Sequence, residues 1–273
     1  KPLDSTRETL TVRVAGEPAT QRELSVALVK PLDLPPHPRL LLTRDGVKDL
    51  QRKIHDLEWA RKAYDGLKKG ADTWLERPID LPDRGSQWWH WYSCKKHGAR
   101  LKTQSPTEHV CPVDDEVYTG YPYDDVVLSS RHSALADAVL RLGIVYQVTG
   151  ERKYAEKARE ILLAYAEKYL SYPLHNIQGK AAVGGGRVGP QTLDEAVWLI
   201  PMAQGADLVW DTLSEADVQA LKEKLFFPAA VDVIRAHKMG IHNIQCWKNS
   251  AVGLTGLLFD DAELVADAVT SKH

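Results

Sequence analysis

The chain has 273 residues, of which 44% are hydrophobic and 26% are charged, and its formal net charge is −2. This composition is that of a globular protein and excludes a disordered chain, a collagen-like fibre and a small disulfide scaffold. The chain also lacks the basic excess that is typical of a nucleic-acid-binding domain. No apolar run reaches the roughly 18 residues that would predict a membrane-spanning helix.

The first 36 residues predict a small β element and a linker. Residues 9–14 and 24–29 alternate between polar and apolar side chains, as strands do, and the turn-forming sequence Gly16-Glu17-Pro18 lies between them. Two strands cannot bury a core alone, so we expect this element to pack on the part of the chain that follows. The proline-rich residues 34–38 predict a stiff linker.

From residue 37 onward the hydrophobic period is helical. The clearest pair of helices covers residues 135–146 and 154–165, and the short Thr149-Gly150-Glu151 link predicts an antiparallel hairpin. Five more segments follow the helical period, at residues 47–67, 193–208, 218–225, 247–258 and 261–269. Thr192 with Glu195 predicts a capping box, and Ser214 predicts another helix start. Repeated helical hairpins with few strands predict a mainly α toroid or solenoid, and the lack of a strict repeat argues against a regular solenoid.

A structural zinc site is indicated by the spacing of two short pairs of residues, which are Cys94 with His97 and Cys111 with Asp114. Each pair encloses two residues, which allows tetrahedral coordination with little loop strain, and His109 is an alternative to Asp114. A Cys94–Cys111 disulfide or two buried thiols are the other interpretations. With either the metal or the disulfide the segment is a stapled loop, and four protein ligands on a metal leave no open position for catalysis.

Residues 184–189, Gly-Gly-Gly-Arg-Val-Gly, match the G-x-G-x-x-G pattern of dinucleotide-binding sites. That pattern requires a buried strand before it and a βαβ unit around it, and the sequence indicates neither. We therefore interpret the segment as a flexible loop beside a cleft, with Pro190 starting the next helix. It belongs to one of two long irregular connections, residues 70–130 and 171–190, which are the first places to look for function.

The sixth predicted helix opens with polar side chains that can receive a carboxylate. The spacing of His242, Gln245 and Asn249 places them on one face, opposite the apolar stripe that begins at Trp247. Donors at a helix N-terminus favour an anion. The alternative is that His242 and Asn243 only cap the helix, while Gln245 and Asn249 face water.

Three further groups are candidates for recognition of a sugar or an acid. Arg131, which precedes His132 at the start of a helix, can bind an acid group bidentately or lie on the surface as an ordinary arginine. The aromatic residues 88–92 can stack on sugars, although such rings are more often part of a core. His175 begins a second copy of the His-Asn-Ile-Gln sequence found at residues 242–245, in a loop without a helical face.

Four stretches together resemble the heparinase II/III-like polysaccharide lyases, including the oligoalginate and exolytic glycosaminoglycan lyases. These stretches are His37–Thr43, Cys94–Tyr121, Gly189–Ala196 and His242–Asn249. The resemblance covers the N-terminal part of such a lyase and implies that residues 37–273 form an incomplete (α/α) toroid, followed in the whole protein by an antiparallel β-sandwich. We therefore expect a trimmed or processed piece of a bacterial protein that is periplasmic or secreted, with its signal peptide removed.

The resemblance implies β-elimination on the uronic acid of an anionic polysaccharide or oligosaccharide. In this family, donors neutralise the uronate carboxylate, and a Tyr or His base then removes the C5 proton. His242 and Asn243 match the neutralising position and are the expected catalytic residues. The expected substrate-binding residues are Arg131, His132, His175, Gln191, Gln245, Trp247 and Asn249. The base is expected beyond residue 273, no organic cofactor is expected, and the polymer, the endo or exo mode and the oligomeric state stay open.

Two other functions stay open at this level. A glycoside hydrolase on an (α/α) barrel needs two opposed carboxylates. The available acids are Asp124, Asp125, Asp194 and Glu195, and they form no convincing pair. A non-catalytic carbohydrate-binding helical domain would keep the aromatic run but would need neither His242 nor Arg131.

Overall fold

The computed structural model describes residues 7–11, 23–27 and 31–270, and over these residues the chain is mainly helical, as predicted. The helices are α1 Arg44–Asp56, α2 Glu58–Leu75, α3 Tyr123–Val126, α4 Leu128–Thr149, α5 Arg152–Lys168, α6 Thr192–Leu208, α7 Glu215–Leu221, α8 Asn243–Leu258 and α9 Ala262–Thr270. The strands are β1 Arg7–Thr11, β2 Glu23–Ala27, β3 Lys102–Ser105, β4 Glu108–Val110 and β5 Val117–Tyr118. None of the helices in the described ranges is long and apolar enough to cross a membrane.

Strands β1 and β2 form an antiparallel hairpin in which Leu10 lies opposite Leu24. This pairing confirms the two predicted strands within the described residues. The remaining predicted strand residues, 12–14 and 28–29, lie outside them. A division of the chain at residue 36 stays a prediction.

The predicted hairpin of α4 and α5 is confirmed. Gly150 ends α4 in the left-handed conformation, with φ of 73°, and its N–H donates to the Tyr146 carbonyl at 2.7 Å. A side chain is disfavoured in this conformation, which explains why glycine makes the turn.

Helix α6 contacts both α4 and α8, and the main hydrophobic core lies among these helices and α5. Two glycines bring α4 and α6 close together. A Cβ atom at Gly205 would lie 2.5 Å from a Val139 methyl group, and one at Gly143 would lie 2.8 Å from the Leu208 Cβ. Both distances are shorter than real carbon contacts, so the helix spacing depends on glycine at these positions.

A buried aspartate attaches the predicted linker to the end of α6. One carboxylate oxygen of Asp207 lies 2.5 Å from His37 Nδ1, and the other accepts the backbone N–H groups of Arg39 and Leu40, both at 2.8 Å. The His37 ring stacks on Trp210 with 4.1 Å between ring centroids. The segment after the prolines is therefore held against the helices.

Two details of the predicted helices are wrong. The apolar face at residues 47–67 belongs to two helices, because Leu57 takes an extended conformation between α1 and α2. Helix α6 has Gln191 as its N-cap and no side-chain cap, so Thr192 and Glu195 form no capping box. The cap at Ser214 is confirmed, with a complete capping box to Asp217.

Two parts of the chain contain structure that the pattern did not predict. Strands β3, β4 and β5 form a small antiparallel sheet within residues 70–130. After α7, the chain continues in π-helical turns over Lys222–Phe226 and Pro228–Arg235.

Candidate active site

Two neighbouring cavities lie at the N-terminal end of α6 and share the lining residues Pro190, Gln191 and Leu193. The first, which we call the tryptophan cavity, has a volume of about 420 Å³ and is lined by Trp88, Trp89 and Trp198, among others. The second, which we call the His237 cavity, has a volume of about 310 Å³. Its other lining residues are Asn176, Ile177, Val183, Gly184, Thr192, Met239 and Ile244.

The glycine-rich loop forms a wall of both cavities and is held by a buried carboxylate. Glu195 is fully buried, and its Oε2 atom accepts the backbone N–H groups of Arg187, Val188 and Gly189 at 3.1, 2.9 and 3.3 Å. Its Oε1 atom accepts the Tyr169 hydroxyl at 2.5 Å. Burial raises the pKa of Glu195, although these hydrogen bonds oppose the rise. The buried Glu195 carboxylate thus fixes the backbone of this loop beside the cleft.

The start of α8 places two hydrogen-bond donors at the surface. His242 is the N-cap, its Nδ1 atom accepts the Ile244 N–H at 3.1 Å, and the Asn243 Oδ1 atom lies 2.9 Å from the same N–H. Because Nδ1 is an acceptor here, a neutral His242 ring carries its proton on Nε2. The two side chains therefore cap the helix through their acceptors and keep Nε2–H and Nδ2–H available to a ligand.

The expected division of α8 into an apolar buried face and a polar open face is wrong. Trp247 is 48% exposed, whereas Gln245 and Lys248 are 5% and 1% exposed. Gln245 accepts the Met239 N–H at 3.0 Å and donates to Asn249 at 2.7 Å. These polar side chains are buried because they hydrogen-bond the loop before α8 and a neighbour on the helix.

The other expected substrate-binding residues lie in different surroundings. Gln191 lines both cavities. Arg131 pairs with Asp80 and lines a separate cavity of about 690 Å³. His132 is buried, with Nδ1 2.8 Å from the Tyr165 hydroxyl and Nε2 3.0 Å from a backbone carbonyl. Burial lowers the pKa of His132 to about 4. Both of its ring nitrogens are therefore used inside the protein.

His175 joins two loops rather than pointing into either cavity. Its Nε2 atom lies 2.7 Å from the Ser86 carbonyl, and its Nδ1 atom lies 3.0 Å from the Pro173 carbonyl. Its backbone pairs with Gly186 in an isolated antiparallel bridge. His175 thus connects the glycine-rich loop to the loop that carries the tryptophans.

The aromatic run at residues 88–92 lies mainly at the surface. Tyr92 is buried, but Trp89 and Trp91 are about half exposed. The Arg100 guanidinium covers the Trp89 ring at 3.2 Å from its centroid. Trp88 and Trp89 line the tryptophan cavity, which places two rings where a sugar can stack.

His237 is a candidate that the sequence pattern did not indicate. Its Nδ1 atom lies 3.1 Å from the Thr192 hydroxyl, and a Cβ atom at Gly184 would lie 3.4 Å from its ring. Burial and the charge of Lys248 lower the pKa of His237, so its neutral form is favoured. His237 follows an irregular π-helical turn, where no periodicity predicts which way a side chain points.

The structure places the four predicted zinc ligands close to one another. They are Cys94, His97, Cys111 and Asp114. Their ligand atoms all lie within 4.8 Å of one another, and His97 Nδ1 lies 3.4 and 3.5 Å from the two sulfur atoms. Both cysteines are free, so the structure contains no Cys94–Cys111 disulfide. His109 is not part of this group, because its ring bonds Tyr92 and Asp124.

The two cysteines differ in their electrostatic surroundings. Burial opposes ionisation of Cys94, but hydrogen bonds from Tyr118 and the backbone outweigh it and lower the pKa of the thiol to about 6. Burial raises the pKa of Cys111. A thiolate is the form of cysteine that binds metals, and the surroundings of Cys94 favour that form.

The four acids considered for a hydrolase do not form a catalytic pair. Asp124 bonds His109 and the Gly120 N–H, while Asp125 pairs with Arg84. Glu195 is occupied by the glycine-rich loop. Asp194 lines the tryptophan cavity, and burial raises its pKa to about 6, but it lacks an opposed partner among these acids.

Comparison with known proteins gives consistent matches. A family model described as alginate lyase matches residues 95–273. The chain is 36% identical to an alginate lyase of Stenotrophomonas maltophilia (strain K279a) over 145 residues, which is 52% of this chain and 19% of that protein. It is 34% identical to an exo-oligoalginate lyase of Saccharophagus degradans over 159 residues, which is 57% of this chain and 20% of that protein. The match therefore spans about a fifth of the length of these curated relatives.

Proposed function

The chain belongs to the alginate lyase family, and we propose that it is part of a polysaccharide lyase. The proposed enzyme cleaves a uronic-acid polymer or oligomer by β-elimination. The family match over residues 95–273 is the observation that carries the proposal. Alginate or its oligomers are the proposed substrate, because both relatives are named for them. The heparinase II/III-like subfamily belongs to the same proposal, and so does the incomplete (α/α) toroid, which is supported by the contacts of α6 with α4 and α8.

In the proposed reaction, His242 and Asn243 bind the uronate carboxylate through the donors that their capping role leaves available. Neutralising this charge makes the C5 proton more acidic and stabilises the enolate that forms when the proton leaves. The electron pair then forms the C4–C5 double bond as the C4–O4 bond breaks, and O4 takes up a proton. A Tyr or His side chain acts as the base in this proposal, a Tyr protonates O4, and no organic cofactor enters the reaction.

Among the expected sugar-binding residues, Gln191 has the strongest support, because it lies between the two cavities. Trp88 and Trp89 are additions to that set, because they line the tryptophan cavity. Binding by Arg131, His132, His175, Gln245, Trp247 and Asn249 stays a prediction.

The direct test is an assay of the purified full-length protein on alginate, heparan sulfate and chondroitin sulfate. We expect alginate to yield an unsaturated uronate that absorbs in the ultraviolet. New reducing ends without this absorbance would instead indicate a glycoside hydrolase. Binding of polymer without any cleavage would indicate a non-catalytic carbohydrate-binding protein.

We also propose that Cys94, His97, Cys111 and Asp114 hold a structural Zn²⁺ ion. The support is the closeness of their ligand atoms and the preference of zinc for sulfur and nitrogen donors. Four protein ligands leave no open position, so the ion is assigned to holding the loop between Cys94 and Asp114 rather than to the reaction.

The proposed location of the whole protein is the periplasm or the extracellular space of a bacterium. The support is the size and charge of a polyuronate, which does not cross a membrane unaided. Fractionation of cells that express the full-length gene tests this location, since a lyase found only in the cytoplasmic fraction would contradict it.

A further inference from the structure

The two cavities differ in the charges around them. Asp137 and Asp194 line the tryptophan cavity. In contrast, none of the described residues that line the His237 cavity is acidic. A uronate carboxylate is repelled by nearby carboxylates, so the His237 cavity is the better place for it.

A buried cation contacts the backbone of a residue that lines the His237 cavity. Lys248 is 1% exposed, and its ammonium group donates to the backbone carbonyl of His237, whose ring lines the cavity. Within the part of the chain that the structure describes, Lys248 forms no ion pair. A buried charge is costly unless an opposite charge compensates it, and an anion bound in the cavity would provide that compensation.

The His237 ring is fixed and has one nitrogen left for a ligand. Nδ1 lies 3.1 Å from the Thr192 hydroxyl, and Gly184, whose φ is 97°, lies against the ring. Nε2 makes no hydrogen bond to any described residue. The ring can therefore offer Nε2 to an oxygen atom in the cavity.

We propose that the His237 cavity is a uronate-binding subsite for a second sugar unit, distinct from the one bound by His242 and Asn243, in which His237 hydrogen-bonds the carboxylate and Lys248 compensates its charge. This inference rests on the proposed function for its substrate class. It adds His237 as a sugar-binding residue and Lys248 as a buried positive charge outside the lining of the cavity. Gln191, Asn176 and the start of α8 at Ile244 complete the wall of the cavity.

The matched ligands for a test are mannuronate and mannose, which differ only in the carboxylate. Each is titrated into the full-length protein, and binding is followed by the NMR signals of the His237 ring, assigned from their loss in His237→Phe. We expect mannuronate to shift these signals and mannose to leave them nearly unchanged. Equal shifts with both sugars, or no shift with mannuronate, would overturn the inference.

Two variants separate the roles of the ring and the charge. His237→Phe keeps an aromatic ring but removes the nitrogen, and Lys248→Gln keeps a donor for the carbonyl but removes the charge. We expect each to weaken mannuronate binding about tenfold or more, which is the scale of a hydrogen bond to a charged group. Calorimetry measures the affinities, circular dichroism checks folding, and His55→Phe on the exposed surface of α1 is the matched control. Unchanged affinity in a folded His237→Phe would contradict the proposal.

The uronate subsite and the lyase function can fail independently of each other. Mannuronate binding that depends on His237, in a full-length protein that cleaves no polymer, supports the subsite and contradicts the lyase function. Cleavage of alginate with an unchanged KM in His237→Phe supports the lyase function and contradicts the subsite.

Discussion

The hydroxyl of Tyr169 donates to the carboxylate of Glu195 at 2.5 Å, in a part of the core that water does not reach. The other carboxylate oxygen accepts three successive backbone N–H groups of the glycine-rich loop. A single buried acid thus connects α6, the end of α5 and the loop between the two cavities. The position of Gln191, which follows this loop, depends on the same contacts.

Replacing Glu195 should destabilise the protein and disturb this loop. Glu195→Ala leaves buried N–H groups without an acceptor, and each such loss costs about 1–3 kcal/mol. Glu195→Gln keeps one carbonyl oxygen and should therefore lose less stability than Glu195→Ala. Tyr169→Phe should also lose less. Urea unfolding measures the free energy of unfolding, and the exposed Glu156→Ala on α5 is the control. A Glu195→Ala loss as small as that of the control would contradict this role.

The group of Cys94, His97, Cys111 and Asp114 should bind one zinc ion per chain. Elemental analysis of protein purified without chelators is the measurement, followed by a thermal melt with and without a strong chelator. We expect the chelator to lower the Tm of the native protein, because the ion holds two turns together. His97→Ala should lose the metal, whereas Cys246→Ser, which changes an exposed cysteine outside the group, should keep it. Absence of metal from the native protein would contradict the proposal.

His132 should make stability depend on pH between about 6.5 and 4. Burial lowers its pKa from 6.5 to about 4 in the folded state, so the unfolded chain takes up a proton first as the pH falls. The contribution of neutral His132 to the free energy of unfolding is fully present above pH 6.5 and is lost as the pH approaches 4. At about 1.36 kcal/mol per unit, the loss amounts to about 3 kcal/mol.

The comparison of native protein with His132→Gln isolates this effect from the other histidines. We expect the free energy of unfolding of the native protein to fall more steeply below pH 6.5 than that of the variant. Parallel curves would show that His132 does not titrate in this way. A variant with normal stability and a raised KM would instead favour the predicted contact of His132 with the sugar.

Local spacing predicted the features that depend on neighbours in the sequence. Gly150 lies between two periodic segments, so the hairpin of α4 and α5 could be predicted. The ligand pairs beginning at Cys94 and Cys111 each close within one tight turn, so their grouping could be predicted too. The helix break at Leu57 could not, because its apolar neighbours continue the same period on both sides.

Features that depend on distant partners could not be predicted from the pattern. Glu195 has the spacing of a capping box, but the loop before α6 offers three N–H groups that compete for its carboxylate. Gln245 and Lys248 look like surface residues of an amphipathic helix, yet the loop at His237 and Met239 provides polar partners that allow them to be buried. In both cases a long-range hydrogen bond determines where the side chain lies.

Catalysis and helix capping at the start of α8 can be separated by two substitutions. His242→Ser keeps a good N-cap acceptor but removes the Nε2–H donor. Asn243→Asp keeps the oxygen near the Ile244 N–H but replaces the donor with a negative charge, which the helix N-terminus tolerates. If these donors stabilise the enolate, each variant should lose roughly 100- to 1,000-fold in kcat on alginate, the usual effect of removing one such donor. Because both variants preserve the cap, the Tm should change little, and Ser250→Ala on the exposed surface of α8 should keep both kcat and Tm. Near-normal turnover in His242→Ser or Asn243→Asp would mean that the side chain serves only the helix.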